Sequence, residues 1–232
     1  MVQGSPIRRA LRDVGPLRSA YYLWQVVKQT ATDEWRMPGV FDRIFLEQPD
    51  PWSSTHPLEQ ERVAITLSML DAAGHSNFAR ALEIGCAEGL FTEEVARRSS
   101  RVVAADYSAV ALERARTRAS AAGNIDFRLI DLRRDALDGT YDLVFATGVF
   151  SCFNRPWDLR RASAKVIDAM APGGVLIYSD PRQSRVFETA WWGKLALRGG
   201  VRIRDMLSRN PALTLESKHD TDAHVFGVFR RR

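Results

Sequence analysis

At 232 residues the chain can form one large domain with a sizeable core, or a domain with an extension. Its 45% hydrophobic and 26% charged residues are ordinary globular proportions, which excludes a disordered chain. The formal net charge of +5 and pI near 9.5 raise the question of an acidic partner, but the basic residues are nearly all arginine and are interspersed with acids, so no nucleic-acid partner is expected.

Residues 1–58 stand apart from the repeating pattern that follows and read as a helical cap. Ile7 and Leu11, then Leu17, Tyr21 and Trp24, suggest two short helices broken at Gly15-Pro16, which also offer a surface for self-association. The aromatic-rich stretch from Trp35 to Phe45 leads into a turn-rich loop, Gln48 to Pro57, with Pro57 placed to open the next helix. That helix, about Pro57 to Ala72, carries Val63, Leu67 and Leu70 on one face and Glu59 and Glu61 in its first turn.

From residue 59 to 232 the pattern is α/β. Strands are expected near 80–84, 101–105, 125–130, 141–147 and 174–179, separated by helices near 89–98, 108–121 and 156–171. Near-continuous apolar strands such as Leu143-Val144-Phe145-Ala146, joined by helices, imply a doubly wound parallel sheet covered on both faces. A helical stretch over about 185–208, interrupted at Gly199-Gly200, precedes two further strands, 212–216 and 224–229. Their short connection makes them an antiparallel hairpin, for seven strands in all. Cys86 and Cys152 each fall in an apolar segment and read as reduced, buried thiols, which points to a reducing, cytoplasmic setting. No apolar run approaches a membrane span, and no membrane partner is expected.

In such a sheet a ligand lies beyond the carboxyl ends of the strands beside the first one. Four segments converge there. The turn Gly85 to Gly89 joins the first strand to a helix, and its missing side chains let backbone approach a ligand. Asp106 ends the second strand, where a carboxylate can accept both hydroxyls of a ribose; Asp131 ends the third and Thr147 the fourth. Asp106 and Asp131 also suit helix capping. The turn reads G-x-A-x-G, which is not the G-x-G-x-x-G spacing that accommodates a pyrophosphate.

Together with Pro172-Gly173-Gly174 before the fifth strand and the terminal hairpin, these features resemble the class I S-adenosylmethionine-dependent methyltransferases over residues of about 58 to 232. Their first motif, E-x-G-x-G-x-G, is matched by Glu83-Ile84-Gly85-Cys86-Ala87-Glu88-Gly89, with alanine for the middle glycine. The resemblance implies a Rossmann-like fold and S-adenosyl-L-methionine as cofactor. It places Glu83 and Gly85 against the methionine part, Asp106 at the ribose, and Asp131 with Leu132 at the adenine. Within that group Asp50-Pro51-Trp52, Glu59-Gln60-Glu61-Arg62, Ala81 to Cys86 and Phe91-Thr92-Glu93 are similar to the nodulation protein S type, which methylates an amino sugar unit of a chitooligosaccharide. The exit of the fourth strand departs from that type, since Gly148 to Phe153 contains no carboxylate.

Transfer from a sulfonium needs an aligned nucleophile: an amine must be neutral, and a hydroxyl needs a base within reach. His56 in the rim loop and Asp180 after the fifth strand are candidate catalytic bases. Trp52 and Glu59 are candidate acceptor contacts, with Trp191, Trp192, Tyr21 and Tyr22 as further aromatic rings able to stack on a sugar. His219, Asp220, Asp222 and His224 have the residue types of a metal site, but alternation along a hairpin disperses them onto both faces, so a divalent metal is not indicated. The expected acceptor is a small molecule, a saccharide or glycosylated metabolite, methylated on oxygen or nitrogen. Alternatives are a nucleic-acid or protein methyltransferase, or a non-catalytic cofactor-binding interaction protein.

Overall fold

The computed structural model describes residues 39–73, 77–182 and 199–232. The two expected N-terminal helices, Tyr21, Tyr22, Trp191, Trp192 and the helical stretch before Gly199 lie outside them. Six helices and seven strands follow in chain order among the described residues: α1 Val40–Glu47, α2 Pro57–Ala72, β1 Phe78–Ile84, α3 Thr92–Arg97, β2 Ser99–Asp106, α4 Ala109–Arg118, β3 Ile125–Leu129, β4 Tyr141–Thr147, α5 Pro156–Asp168, β5 Met170–Pro181, α6 Gly200–Ser208, β6 Leu213–Asp220 and β7 His224–Arg231. A single 3-10 turn, Phe150–Cys152, follows β4.

The strands form one sheet in the order β3-β2-β1-β4-β5-β7-β6. β1 lies parallel between β2 and β4, with Leu82 opposite Val103 on one side and Val144 on the other. β7 runs antiparallel to β5, and β6 antiparallel to β7, so the hairpin closes one edge. Because strand side chains alternate, the sheet separates two apolar layers. Leu82, Val103, Val144, Leu176 and Phe229 share a cluster with Leu159 of α5 and Ile203 of α6. Ala81, Val102, Phe145, Ile177 and Val228 share another with Leu70 of α2 and Val95 of α3. Each such fully buried Leu, Val or Phe contributes roughly 1.5–3 kcal/mol relative to exposure.

Local chemistry sets the element ends that matter for the site. Pro57 opens α2 with its fixed φ, and Ser108 caps α4 by accepting the amide of Ala111. The hairpin strands are longer than the sequence pattern suggests, because β6 continues through Ser217, Lys218, His219 and Asp220. Those residues are exposed at the sheet edge, so they lack the alternating apolar pattern that would have marked them as strand. β5 likewise begins earlier, at Met170, and takes in Pro172-Gly173-Gly174. The helix after the glycine turn is shorter than expected, six residues from Thr92.

Candidate active site

A cavity of 330 Å³ opens at the carboxyl ends of β1, β2 and β4. Its floor is the turn after β1. Gly85 has φ 68°, and a Cβ there would lie 2.6 Å from Val149 Cγ2, so another residue is strained and must displace the Val149 side chain. Gly89 does not line the cavity: its role is to let Ala115 of α4 approach to 3.3 Å of where a Cβ would stand. Between them Ala87 adopts φ 48°, and its amide donates to Asp106 Oδ2 at 2.8 Å.

Asp106 therefore fastens the turn as well as lining the cavity. Its Oδ1 accepts the Ser108 amide at 2.8 Å, and each oxygen keeps lone pairs for further donors. Burial raises its pKa; the amides of Ser108 and Ala87 oppose the rise, and the nearby Asp42 adds to it. Asp131 and Leu132 lie at the same end. The Asp131 carboxylate accepts the Arg133 amide at 2.9 Å, so it caps its own turn as well as lining the cavity. Arg133, which sequence reasoning did not single out, sits 5.5 Å from the ring centres of both Tyr107 and Phe153. Thr147 completes this side at the end of β4.

α1 covers the cavity from above. Asp42 accepts the Ser108 hydroxyl at 2.5 Å and the Val110 amide at 3.3 Å, pinning α1 to the positive N-terminal end of α4. Arg114 donates to the carbonyls of Phe45, Gln48 and Pro49 and pairs with Glu88. Phe41 meets Tyr107 edge-on at 5.9 Å, and Phe45 meets Trp52 edge-on at 6.0 Å. Trp52 keeps 41% of its surface exposed on the rim.

Deeper in, a carboxyl group and a guanidinium face the cavity with buried atoms left unsatisfied. Burial pushes Glu83 up to about 8, with the charge of Asp106 adding to the rise, and its Oε2 has no hydrogen-bond partner. Arg62 of α2 holds Glu59 through Nε at 2.8 Å and stacks over Phe91 at 5.2 Å, leaving Nη1 buried and unpartnered. A carboxyl group ready to ionise against a cation and a guanidinium with one free nitrogen, in one cavity, match the ammonium and carboxylate of an amino-acid end group.

The far end is formed by α2, β5 and the start of β7. Glu59 lines the cavity, with His224 Nε2 at 3.3 Å from Oε1. Burial alone would raise Glu59, but its bonds and charge contacts with His224 and Arg62 outweigh it and hold the carboxyl below the ordinary range. Two expected bases do not reach the cavity. His56 is an exposed N-cap of α2, its Nδ1 accepting the Leu58 amide at 3.3 Å, because Pro57 turns the chain away at that point. Asp180 is wholly buried on the opposite sheet face from His224, since it pairs with Val225 while His224 pairs with Pro181. Its Oδ1 accepts the Ser151 hydroxyl at 2.8 Å, and burial pushes it up to about 6. Asp180 thus stands behind Ser151, which does line the cavity.

The metal-like set is drawn apart. Asp220 is engaged by Arg204 and His224 by Glu59, and no group of three His, Cys, Asp or Glu side chains converges among the described residues. Cys86 is buried and Cys152 half-buried, both free thiols. No helix among the described residues is long and apolar enough to cross a membrane.

Comparison with known proteins agrees with this geometry. The family model of nodulation protein S matches residues 42–203. The chain belongs to the nodulation protein S family. The nodulation protein S of Rhizobium tropici is 30% identical over 188 residues, covering 80% of this chain and 77% of that protein. A ubiquinone biosynthesis O-methyltransferase of Xanthomonas oryzae pv. oryzae is 29% identical over 199 residues, covering 78% and 79%. The crystal structure of the N-methyltransferase NodS from Bradyrhizobium japonicum, in complex with S-adenosyl-L-homocysteine, superposes with TM-score 0.69 at 25% identity, over 79% of this chain and 93% of that one. Like that family, the chain is a class I S-adenosylmethionine-dependent methyltransferase with a Rossmann-like sheet and a C-terminal antiparallel hairpin.

In the sequence Arg62 stands only within a stretch similar to the nodulation protein S type and His224 only in the metal-like set, and neither is placed at this cavity, for different reasons. Arg62 follows Glu59 by one helical turn, and that spacing is a legible sign of a paired charge on one helix face. His224 meets Glu59 across about 165 residues of sequence, and nothing local marks the encounter.

Proposed function

We propose that this enzyme transfers the methyl group of S-adenosyl-L-methionine to an amino group of a sugar unit, in an oligosaccharide or glycosylated metabolite. Glu83 and Arg62 hold the methionine ammonium and carboxylate, Gly85 lets the chain approach closely, Asp106 accepts from the ribose, and Asp131 with Leu132 flanks the adenine. Thr147 closes the same end. Bound there, the donor supplies an electrophilic methyl carbon on a sulfonium, a leaving group that departs without acid assistance. The chain's own contribution is alignment and the exclusion of water.

The observation that carries the acceptor assignment is the pairing, on one cavity, of a half-exposed tryptophan with a carboxylate held below its ordinary pKa. Trp52 offers an apolar face of the kind that stacks on a pyranose ring, and Glu59 stays anionic, which favours an ammonium over a neutral hydroxyl. The family resemblance supports the same class.

The test is a panel of acceptors offered with the donor and read by mass spectrometry: glucosamine oligomers with a free amine, their fully N-acetylated counterparts, simple alkylamines and catechols. Methylation of the free-amine oligomers alone is expected. Transfer to the acetylated sugars or the catechols at equal rate overturns the amino-sugar reading. Trp52→Ala is expected to raise KM for the oligomer about tenfold, a loss comparable to one ring-stacking contact, with donor affinity unchanged. A change confined to donor affinity would place Trp52 over the donor instead.

A further inference from the structure

His224 is 6% exposed and lines the cavity at the end formed by α2, β5 and β7. Its Nε2 lies 3.3 Å from the Glu59 carboxylate, while Nδ1 is buried with no partner in the protein. A neutral imidazole beside a carboxylate places its proton on the nitrogen facing that carboxylate. Nδ1 is then left with a lone pair and no donor, and a buried acceptor of this kind is costly unless a ligand satisfies it. Glu59 is itself fixed by Arg62 at 2.8 Å, so the ring is oriented by a carboxylate that cannot swing away. The arrangement has the three parts of an activated base: a nitrogen with no partner in the protein, a ring held in one tautomer, and an anion beside the ring.

We propose that His224 is the general base of the methyl transfer and that Glu59 is its positioning residue. The proposal deepens the amino-sugar reading and rests on it for the identity of the acceptor. Nδ1 takes a proton from the acceptor's ammonium; the freed nitrogen lone pair forms the new bond to the methyl carbon as the carbon–sulfur bond breaks with its electron pair going to sulfur. The imidazolium then releases the proton to solvent, so one proton leaves per methyl transferred. A hydroxyl acceptor would be served by the same nitrogen. Asp180, the other titratable group at this end of the sheet, lies on the opposite face behind Ser151 and does not compete for the same proton.

The charged groups packed around His224 are Glu59 and Arg62 from α2 and, on the strand it pairs with, Asp180 across the sheet and Arg182 one residue beyond Pro181. As a general base His224 acts only with its ring neutral, so the rate must fall on the acid side of the pH profile.

The experiment combines kinetics on whichever acceptor the wild type methylates with NMR of the His224 ring in the full chain bound to S-adenosyl-L-homocysteine. His224→Gln is expected to lower kcat by about a hundredfold and to flatten the acid limb of the pH profile, with donor affinity within twofold of wild type. Glu59→Gln is expected to lower kcat about tenfold with donor affinity unchanged, and to release the ring from the single tautomer with its proton on Nε2. If His224→Gln does not fold, Glu59→Gln and the wild-type ring tautomer carry the test. An unchanged kcat and acid limb in His224→Gln, or a ring tautomer indifferent to Glu59→Gln, overturns the proposal. Methylation by the wild type of an acceptor other than an amino sugar overturns the saccharide reading alone, since the two variants are then compared on that acceptor. Where no acceptor in the panel is methylated, a ring tautomer indifferent to Glu59→Gln still overturns the proposal.

Discussion

At the end of the cavity proposed for the donor, the groups lie on one turn and at the ends of adjacent parallel strands: Glu83, Gly85, Asp106 and Asp131 each stand within two residues of a strand's carboxyl end. At the acceptor end Glu59 comes from a helix before the sheet begins and His224 from the last strand of the chain. The first arrangement is fixed by backbone geometry and by the order of strands, and it leaves little freedom in residue type. The second is fixed by side chains meeting across the fold, so it tolerates change wherever an acceptor of different shape is needed. A donor common to a superfamily suits the first, and an acceptor particular to one enzyme suits the second.

The sharpest way to break this contrast is to place a side chain on the donor turn. Gly85→Ala puts a methyl 2.6 Å from Val149 Cγ2 at a backbone φ of 68°. Strain of the left-handed conformation and overpacking together are expected to cost roughly 2–4 kcal/mol of stability. Donor affinity should fall by about a hundredfold, because the turn and the Val149 side chain that line the cavity must shift. Urea unfolding and calorimetric titration with S-adenosyl-L-homocysteine measure the two effects. Wild-type affinity in a folded Gly85→Ala protein would show that the donor end is as adaptable as the acceptor end.

How much could be read from the sequence divides along the same line. The strand ends carrying Asp106, Asp131 and Thr147 were legible, since near-continuous apolar strands followed by a polar residue mark a covered parallel sheet. Gly85 was legible because it follows a short apolar run and precedes apolar positions at helical spacing, which marks a strand-to-helix turn. His56 was misplaced because a histidine before Pro57 looks the same whether it caps a helix or faces a cleft; the structure gives it to the cap. Asp180 was misplaced by one pleat, as a strand-end carboxylate points to either face according to a register that the sequence does not state. Gly89 was read as part of the ligand contact when its work is to admit α4. The Glu59–His224 contact depends on α2 lying against the end of β7, a tertiary fact without local trace.

A second prediction concerns the proton held on Glu83 at the end proposed for the donor. Glu83 has its pKa raised to about 8, above its ordinary 4.5, so the ligand-free fold binds a proton that the unfolded chain has already released between those values. Stability without donor should therefore decline as pH rises from about 4.5 to 8, by roughly 3–5 kcal/mol at most. Glu83→Gln should abolish that slope in urea titrations at pH 5 and pH 8. The donor's ammonium reverses the sign of the preference, since it favours the carboxylate. Wild-type donor affinity should then increase with pH up to about 8, and Glu83→Gln should bind roughly 10–100-fold more weakly at pH 8 with little pH dependence. A flat affinity profile for the wild type would mean that the ammonium is met elsewhere and that the buried charge belongs to folding alone.

The smallest effect is expected at Ala87, the single residue of the turn that departs from glycine. At φ 48° an alanine sits in the left-handed region at a cost of about 1 kcal/mol, and it is held there because its amide is tied to Asp106 Oδ2 at 2.8 Å. Ala87→Gly removes that strain but frees the unfolded chain by about 0.4–1 kcal/mol, so the net gain in stability should be under about 1 kcal/mol. Because Ala87 lines the cavity, removing its methyl also enlarges the space around the donor, and a change in donor affinity of no more than a few-fold is expected in the calorimetric titration. A stability loss near 1 kcal/mol would show that the hydrogen bond to Asp106 has already relaxed the turn around alanine. In that case the tolerance attributed to the acceptor end extends to one position of the donor turn, the one where the backbone donates to Asp106 and the side chain faces open space.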